Sequence, residues 1–257
     1  MKVTAIKTKP IVAGDKLSSI LDNAIKELAE KSVVVIASNV VSLCEGNVVK
    51  IGSAKQNSSA KQNLKDKEAL VKEQAEWYLP PHNMYHIILA VKDNILIPSA
   101  GIDESNTNGY YTLWPKNPQE TADSIREHLI KRFSLSHIGV IIADSKTTPL
   151  RWGVTGVALA HSGFAALNDY TGRSDIFGRL FVYEKANIAD GLASSAVVVM
   201  GEGNEQTPLA VIEDAAFVQF QDRNPTKEEL KMLKISMEDD VYGEILRSVK
   251  WRRGGKR

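Results

Sequence analysis

Three oxygen-bearing positions fall where the chain has just left a regular element: Asp103 after an apolar strand pattern at 95–97, Asp144 with Ser145 after a second one, and Glu202 after a helix end. Element ends are where a scaffold presents reactive groups. Carboxylate and hydroxyl oxygens are hard ligands that suit magnesium or manganese, ions that keep several waters and share the phosphate oxygens of a substrate. The same residue types also form ordinary turns, so from these positions alone the metal reading and the turn reading both stand. A second feature is the flexible run Gly201, Glu202, Gly203, Asn204, Glu205, Gln206, Thr207, able to bring backbone N–H groups against a phosphate. It follows a helix instead of opening one, and the chain has no G-x-x-x-x-G-K-[ST] loop, so neither familiar phosphate-binding fingerprint is present.

Other chemistries find less support. His82, His86, His128, His137 and His161 lack zincin spacing, and Cys44 has no second thiol with which to build a zinc site. Cys44 follows Val40, Val41, Ser42 and Leu43, a context that reads as a small buried hydrophobe more than as a nucleophile. Neither Ser162 nor Ser195 sits in a G-x-S-x-G elbow.

The elements that must position these groups belong to a chain of 257 residues, long enough for a sizeable core without staples. A single cysteine permits no internal disulfide, and a reducing cytoplasm is the expected compartment. No apolar run approaches the roughly 20 residues of a bilayer span. Residues 1–10 read as a first strand, not an export signal. With 32 Lys+Arg against 31 Asp+Glu, the net charge of +1 argues against a broad nucleic-acid face, and no membrane contact is expected. The basic end, 250–257, reads as a solvated tail.

Asp15 is placed to cap a helix whose Leu17, Ile20, Leu21, Ala24, Ile25 and Leu28 share one face. Four consecutive β-branched residues, Val33, Val34, Val35 and Ile36, predict a strand buried on both sides. The polar stretch 53–76 reads as a mobile loop running into a helix. Strands at 85–91 and 94–97 form a hairpin about a Lys92-Asp93 turn. Asn117-Pro118 opens a helix with Ile125, Leu129, Ile130 and Phe133 inward. A strand at 137–143 stops at Asp144, and a small-residue helix at 187–200 ends in Gly201. Thr226 and Glu229 have capping-box spacing ahead of Leu230, Leu233 and Ile235. Strands and helices mix without regular βαβ alternation, which points to an α+β class with mixed β-sheets and helices. The expected organisation is a catalytic domain over 1–221 followed by a helical extension and basic tail over 222–257.

Ordered blocks along the chain carry a resemblance: Gly14-Asp15; Val41-Ser42 with Glu45-Gly46; Ala100-Gly101-Ile102-Asp103 with Ser105-Asn106; Asp144-Ser145; Pro149, Arg151 and Gly153; Gly172, Asp175 and Gly178-Arg179; and Met200-Gly201-Glu202-Gly203 ahead of Pro208. In these, from about residue 5 to residue 214, the sequence resembles the coenzyme F420-0:L-glutamate ligases, which add glutamate by γ-linkage to a deazaflavin precursor. The resemblance implies the F420-0:γ-glutamyl ligase fold, an intertwined homodimer, and GTP or ATP with Mg2+ or Mn2+. Carried over by position, Asp103 and Asp144 would hold one cation. Ser145, where the family usually has Thr, and Glu202 would hold a second. The nucleotide would contact Thr8, Lys9, Pro10, Ile11, Ser38, Asn39, Asn106, Met200, Gly201, Gly203, Asn204, Glu205, Gln206 and Thr207. The implied reaction is an amide ligation through an acyl phosphate, joining L-glutamate or another amino acid to a small-molecule carboxylate.

Two departures accompany these matches. The family's S-K-A-E-G block has Lys where this chain has Leu43, and its D-T-x-G-R-P block has Arg where this chain has Thr148, with Lys146 gained nearby. They motivate an alternative: a homologue that has lost ligation and acts as a nucleotide-binding or regulatory protein.

Overall fold

The structure is a computed structural model that describes residues 1–52, 60–81 and 83–255. Part of the stretch read as a mobile loop, 53–59, lies outside the described residues, as do His82 and the last two residues of the basic end. In chain order the elements are β1 (Lys2–Ile6), α1 (Leu17–Ala24), β2 (Val33–Ala37), α2 (Ser38–Glu45), β3 (Val48–Lys50), α3 (Ala60–Gln74), β4 (Trp77–Leu79), β5 (Leu89–Lys92) and β6 (Ile95–Pro98). There follow β7 (Tyr110–Thr112), α4 (Pro118–Phe133), β8 (Gly139–Thr147), β9 (Val154–Ser162), β10 (Leu167–Asp169), β11 (Lys185–Asn187), α5 (Ile188–Met200), β12 (Leu209–Glu213), α6 (Lys227–Met232), α7 (Gly243–Ser248) and β13 (Arg252–Arg253).

A five-stranded sheet in the order β1-β12-β2-β8-β9 forms the centre. Only β2 and β8 run parallel, and the other neighbours are antiparallel, so the α+β class with mixed sheets is what the chain adopts. The β-branched run of β2 explains why this strand is central. Val33 and Val35 pack with α5 on one face, while Val34 and Ile36 pack with α1, α2 and α4 on the other. All four are fully buried, and each contributes about 1.5–3 kcal/mol of apolar burial. Ala189, Ala193 and Ala196 let α5 lie close to the sheet, and Gly156 of β9 completes the fit, because a Cβ there would stand 2.4 Å from the Ala193 carbonyl oxygen.

The second sheet, β13-β4-β5-β6, packs with α3 through Val71, Ala75, Ile88 and Ala90. Its hairpin turns at Asp93-Asn94, one residue later than the sequence pattern suggests, because both residues take positive φ, 49° and 65°, as a two-residue turn requires. Its first strand begins only at Leu89. The Asp15 side chain does not cap α1: the N-cap is Lys16, and Asp15 Oδ2 instead accepts from the Val12 N–H at 2.9 Å. The Thr226–Glu229 capping box forms as expected. Residues 252–254 of the basic end do not form a free tail: Arg252 and Arg253 pair with Tyr78 and Trp77, and the Gly254 N–H donates to the Glu76 carbonyl at 2.9 Å. Among the described residues no helix is long and apolar enough to cross a membrane.

Candidate functional site

Asp103 follows a tight turn in which Ser99, Ala100 and Gly101 all have positive φ, and its backbone exchanges hydrogen bonds with Thr112 at 3.2 and 2.8 Å. Asp144 and Ser145 do not end a strand. They belong to β8, which runs on to Thr147 past a bulge at Ile142/Ala143, and the bulge re-aims the side chains that follow it. Glu202 stands in the loop after α5, within 3.4 Å of Ser145 Oγ.

These residues line one cleft of about 510 Å3. The segment after β1 brings Thr8, Lys9, Pro10 and Ile11 to it, tied by the Thr8 N–H to the Gln206 carbonyl at 2.9 Å. Ser38 and Asn39 enter from the first turn of α2, whose N–H groups give that end partial positive charge. Asn106 and the residues Met200, Gly201, Gly203, Asn204, Glu205, Gln206 and Thr207 complete it, with Asp103, Asp144, Ser145 and Glu202. Every site residue expected from the sequence is therefore brought to the same cleft. Asn108 and Thr112 also line it without having been singled out. They sit on the loop and strand that follow Asp103, so proximity to that motif was the only signal for them.

The electrostatics are lopsided. Among the described lining residues Asp103, Asp144, Glu202 and Glu205 oppose one basic side chain, Lys9. Burial pushes the Asp144 carboxyl up to about 6; hydrogen bonds from Trp114 and the Ser145 N–H oppose that rise, and Asp103 and Glu202 add to it. Glu202 is likewise raised by burial, with Asp103 and Glu205 reinforcing the shift against the Ser145 hydroxyl. Mutual repulsion among carboxylates facing one cleft suits a divalent cation, which would neutralise it. Among the described residues no three acidic, His or Cys side chains already converge on one ion position. Asp103 meanwhile accepts from Ser105 Oγ at 2.9 and 2.8 Å. In chemistry, if not in a ready-made cluster, these oxygen donors are the type a hard cation takes.

Trp114, which is not among the lining residues of this cleft, proves to be a partner of Asp144, its indole N–H donating to Oδ2. Nothing in the local pattern around Trp114 marks it. Burial raises the Cys44 thiol to about 12, which agrees with an inert cysteine.

The family model described as F420-0:Gamma-glutamyl ligase matches residues 5–214, about four-fifths of the chain. The chain belongs to the F420-0:Gamma-glutamyl ligase family. Among its relatives in this family is the coenzyme F420:L-glutamate ligase of Methanococcus maripaludis strain C7, 35% identical over 240 residues, covering 91% of this chain and 94% of that one. The protein of the same name from Methanocaldococcus jannaschii is 35% identical, with coverages of 73% and 77%. That of Methanothermobacter thermautotrophicus is 30% identical, covering 82% and 88%. Leu43, where the resemblance implies a lysine, lines the cleft of this F420-0:Gamma-glutamyl ligase family member while 97% of its surface is covered. Neither Lys146 nor Thr148 is among the described lining residues.

Proposed function

We propose that the protein is a nucleotide- and divalent-metal-dependent amide ligase that adds L-glutamate, or another amino acid, to a small-molecule carboxylate. The observation that supports this most is the meeting of four carboxylates and one lysine around a glycine-rich loop in a single cleft. A triphosphate entering that cleft would be repelled by the carboxylates unless cations lay between them.

In this reading Asp103 and Asp144 would hold one Mg2+ or Mn2+, and Ser145 and Glu202 would hold a second. When bound, the cations offset charge on the transferring phosphoryl group. Lys9, Asn106 and the N-terminal turn of α2 at Ser38 and Asn39 orient the phosphates of GTP or ATP, with the 200–207 loop folded over them. An acceptor carboxylate oxygen bonds the terminal phosphorus as the bond to the nucleoside diphosphate breaks. The amino group of glutamate then attacks the acyl carbon, forming the amide, and inorganic phosphate leaves with the electron pair. Phosphorylation is needed because a carboxylate is a poor electrophile at neutral pH. The relatives' names, which pair coenzyme F420 with glutamate, favour a deazaflavin-type acceptor.

The catalytic work is assigned to 1–221, with 222–257 as an extension, and the setting to the cytoplasm. An intertwined homodimer of the family's fold is supported by an apolar surface on the segment between β8 and α5. There Leu150, Trp152, Ile176, Phe177 and Tyr183 are each at least 88% exposed, apolar side chains that a partner subunit would cover. Light scattering that returned a monomer at micromolar concentration would remove this element.

The central test is phosphate release from GTP or ATP with Mg2+ or Mn2+. Release should require acceptor and amino acid together, and no turnover with any acceptor would refute the ligase. Leu43 in the cleft favours a second reading, a homologue without ligation that binds nucleotide for regulation. If Leu43→Lys creates activity where the unaltered chain has none, that second reading holds.

A further inference from the structure

Trp114 follows β7 and is 3% exposed, and its indole is fixed from several sides. Its ring lies directly over Gly101, where an added Cβ would stand 2.0 Å from Nε1, so the glycine of the Ala100-Gly101-Ile102-Asp103 block is the recess that admits it. The Lys92 ammonium lies 5.1 Å from the ring centroid and donates to Gln74 Oε1 at 3.2 Å. The Trp114 carbonyl accepts from Asn47 Nδ2 at 2.7 Å, anchoring the backbone. From this mount the indole N–H donates to Asp144 Oδ2, while the Ser145 N–H donates to Oδ1 at 2.8 Å. Each Asp144 oxygen thus has one protein donor, which leaves its remaining lone pairs for the cleft.

We propose that Trp114 is a positioning residue of the cation site, holding the Asp144 carboxylate in the orientation from which it ligates the ion. This rests on the metal-dependent reading above. Donors behind a ligating group commonly govern metal affinity by tenfold to a hundredfold. Gly101 and Trp114 then form one unit: the glycine makes room for the ring, and the ring orients the carboxylate.

The test titrates the full-length protein with Mn2+, with and without GTP, following free Mn2+ by electron paramagnetic resonance. Trp114→Phe keeps the ring and removes the N–H. A second variant places benzothienylalanine at 114, which keeps the bicyclic shape and replaces N–H by sulfur, and decides the matter if the phenylalanine variant does not fold. The expected result is a loss of roughly tenfold or more in Mn2+ affinity in both variants, with an unchanged melting temperature in the isosteric one. In the 15N-labelled parent, the indole cross-peak missing from Trp114→Phe should move on addition of Mg2+, as no purely structural role would require. If the parent binds Mn2+ and the isosteric variant binds it equally well, the positioning role is overturned while the metal site stands. Absence of Mn2+ binding by the parent overturns both.

Discussion

The Asn106 side-chain amide donates to the Gly203 carbonyl at 2.7 Å, joining the loop that carries Asp103 to the loop that carries Glu202. Neither loop belongs to the central sheet, yet this bond holds them over Asp144 and Ser145, which do. The cleft is thus assembled from a rigid floor and two bridged walls, an arrangement in which changes at single residues have separable effects.

Removing the carboxylate from the floor should be the most damaging change. Asp144→Ala is expected to weaken cation-dependent GTP binding by roughly 100-fold or more, measured by calorimetry with and without Mg2+. Unchanged binding would place the ion elsewhere.

Because the Asp144 carboxyl is pushed up to about 6 from an ordinary 3.8, protons compete with the cation at mildly acidic pH. Mn2+ affinity should be level above about pH 6 and fall by about tenfold per pH unit below it. The stability effect has the opposite sense. A carboxyl whose folded value exceeds its unfolded one stabilises fully below about pH 4, and that contribution is lost as pH rises through about 6. Thermal melts of the metal-free protein should show this decline, with Mg2+ reversing it; the raised Glu202 acts in the same direction.

Glu205 folds back over its own loop, accepting the Gly203 N–H at 2.8 Å, and an added Cβ on Gly201 would lie 2.5 Å from its carboxyl carbon. The carboxylate occupies a donor that a phosphate oxygen would use. Glu205→Gln should tighten GTP binding about fivefold, equivalent to ~1 kcal/mol for one nearby charge. Weaker binding would instead make Glu205 a cation ligand.

Gly101→Ala tests the wall. It combines a φ of +73° with a collision against the Trp114 indole, and is expected to cost about 2–5 kcal/mol. Thermal unfolding should drop by several degrees or more; an unchanged melting temperature would mean that the backbone at 101 relaxes and the ring moves aside.

What the sequence determined by itself is what depends on near neighbours. The β-branched run of β2, the Thr226–Glu229 box, and the Pro118 start and Gly201 stop of two helices follow from backbone preferences within a few residues, and they appear as read. The resemblance likewise pointed to residues that the cleft gathers, such as Asp103, Asp144 and Glu202, although its blocks at 14–15, 149–153 and 172–179 lie outside the described lining. Tertiary structure alone decided that β8 runs on through Asp144, that β13 returns to β4, and that Trp114 stands behind the Asp144 carboxylate. Each of these is a contact between residues far apart in the chain, set by which strand edges and cavities remain once the core is packed, and no local periodicity records that outcome.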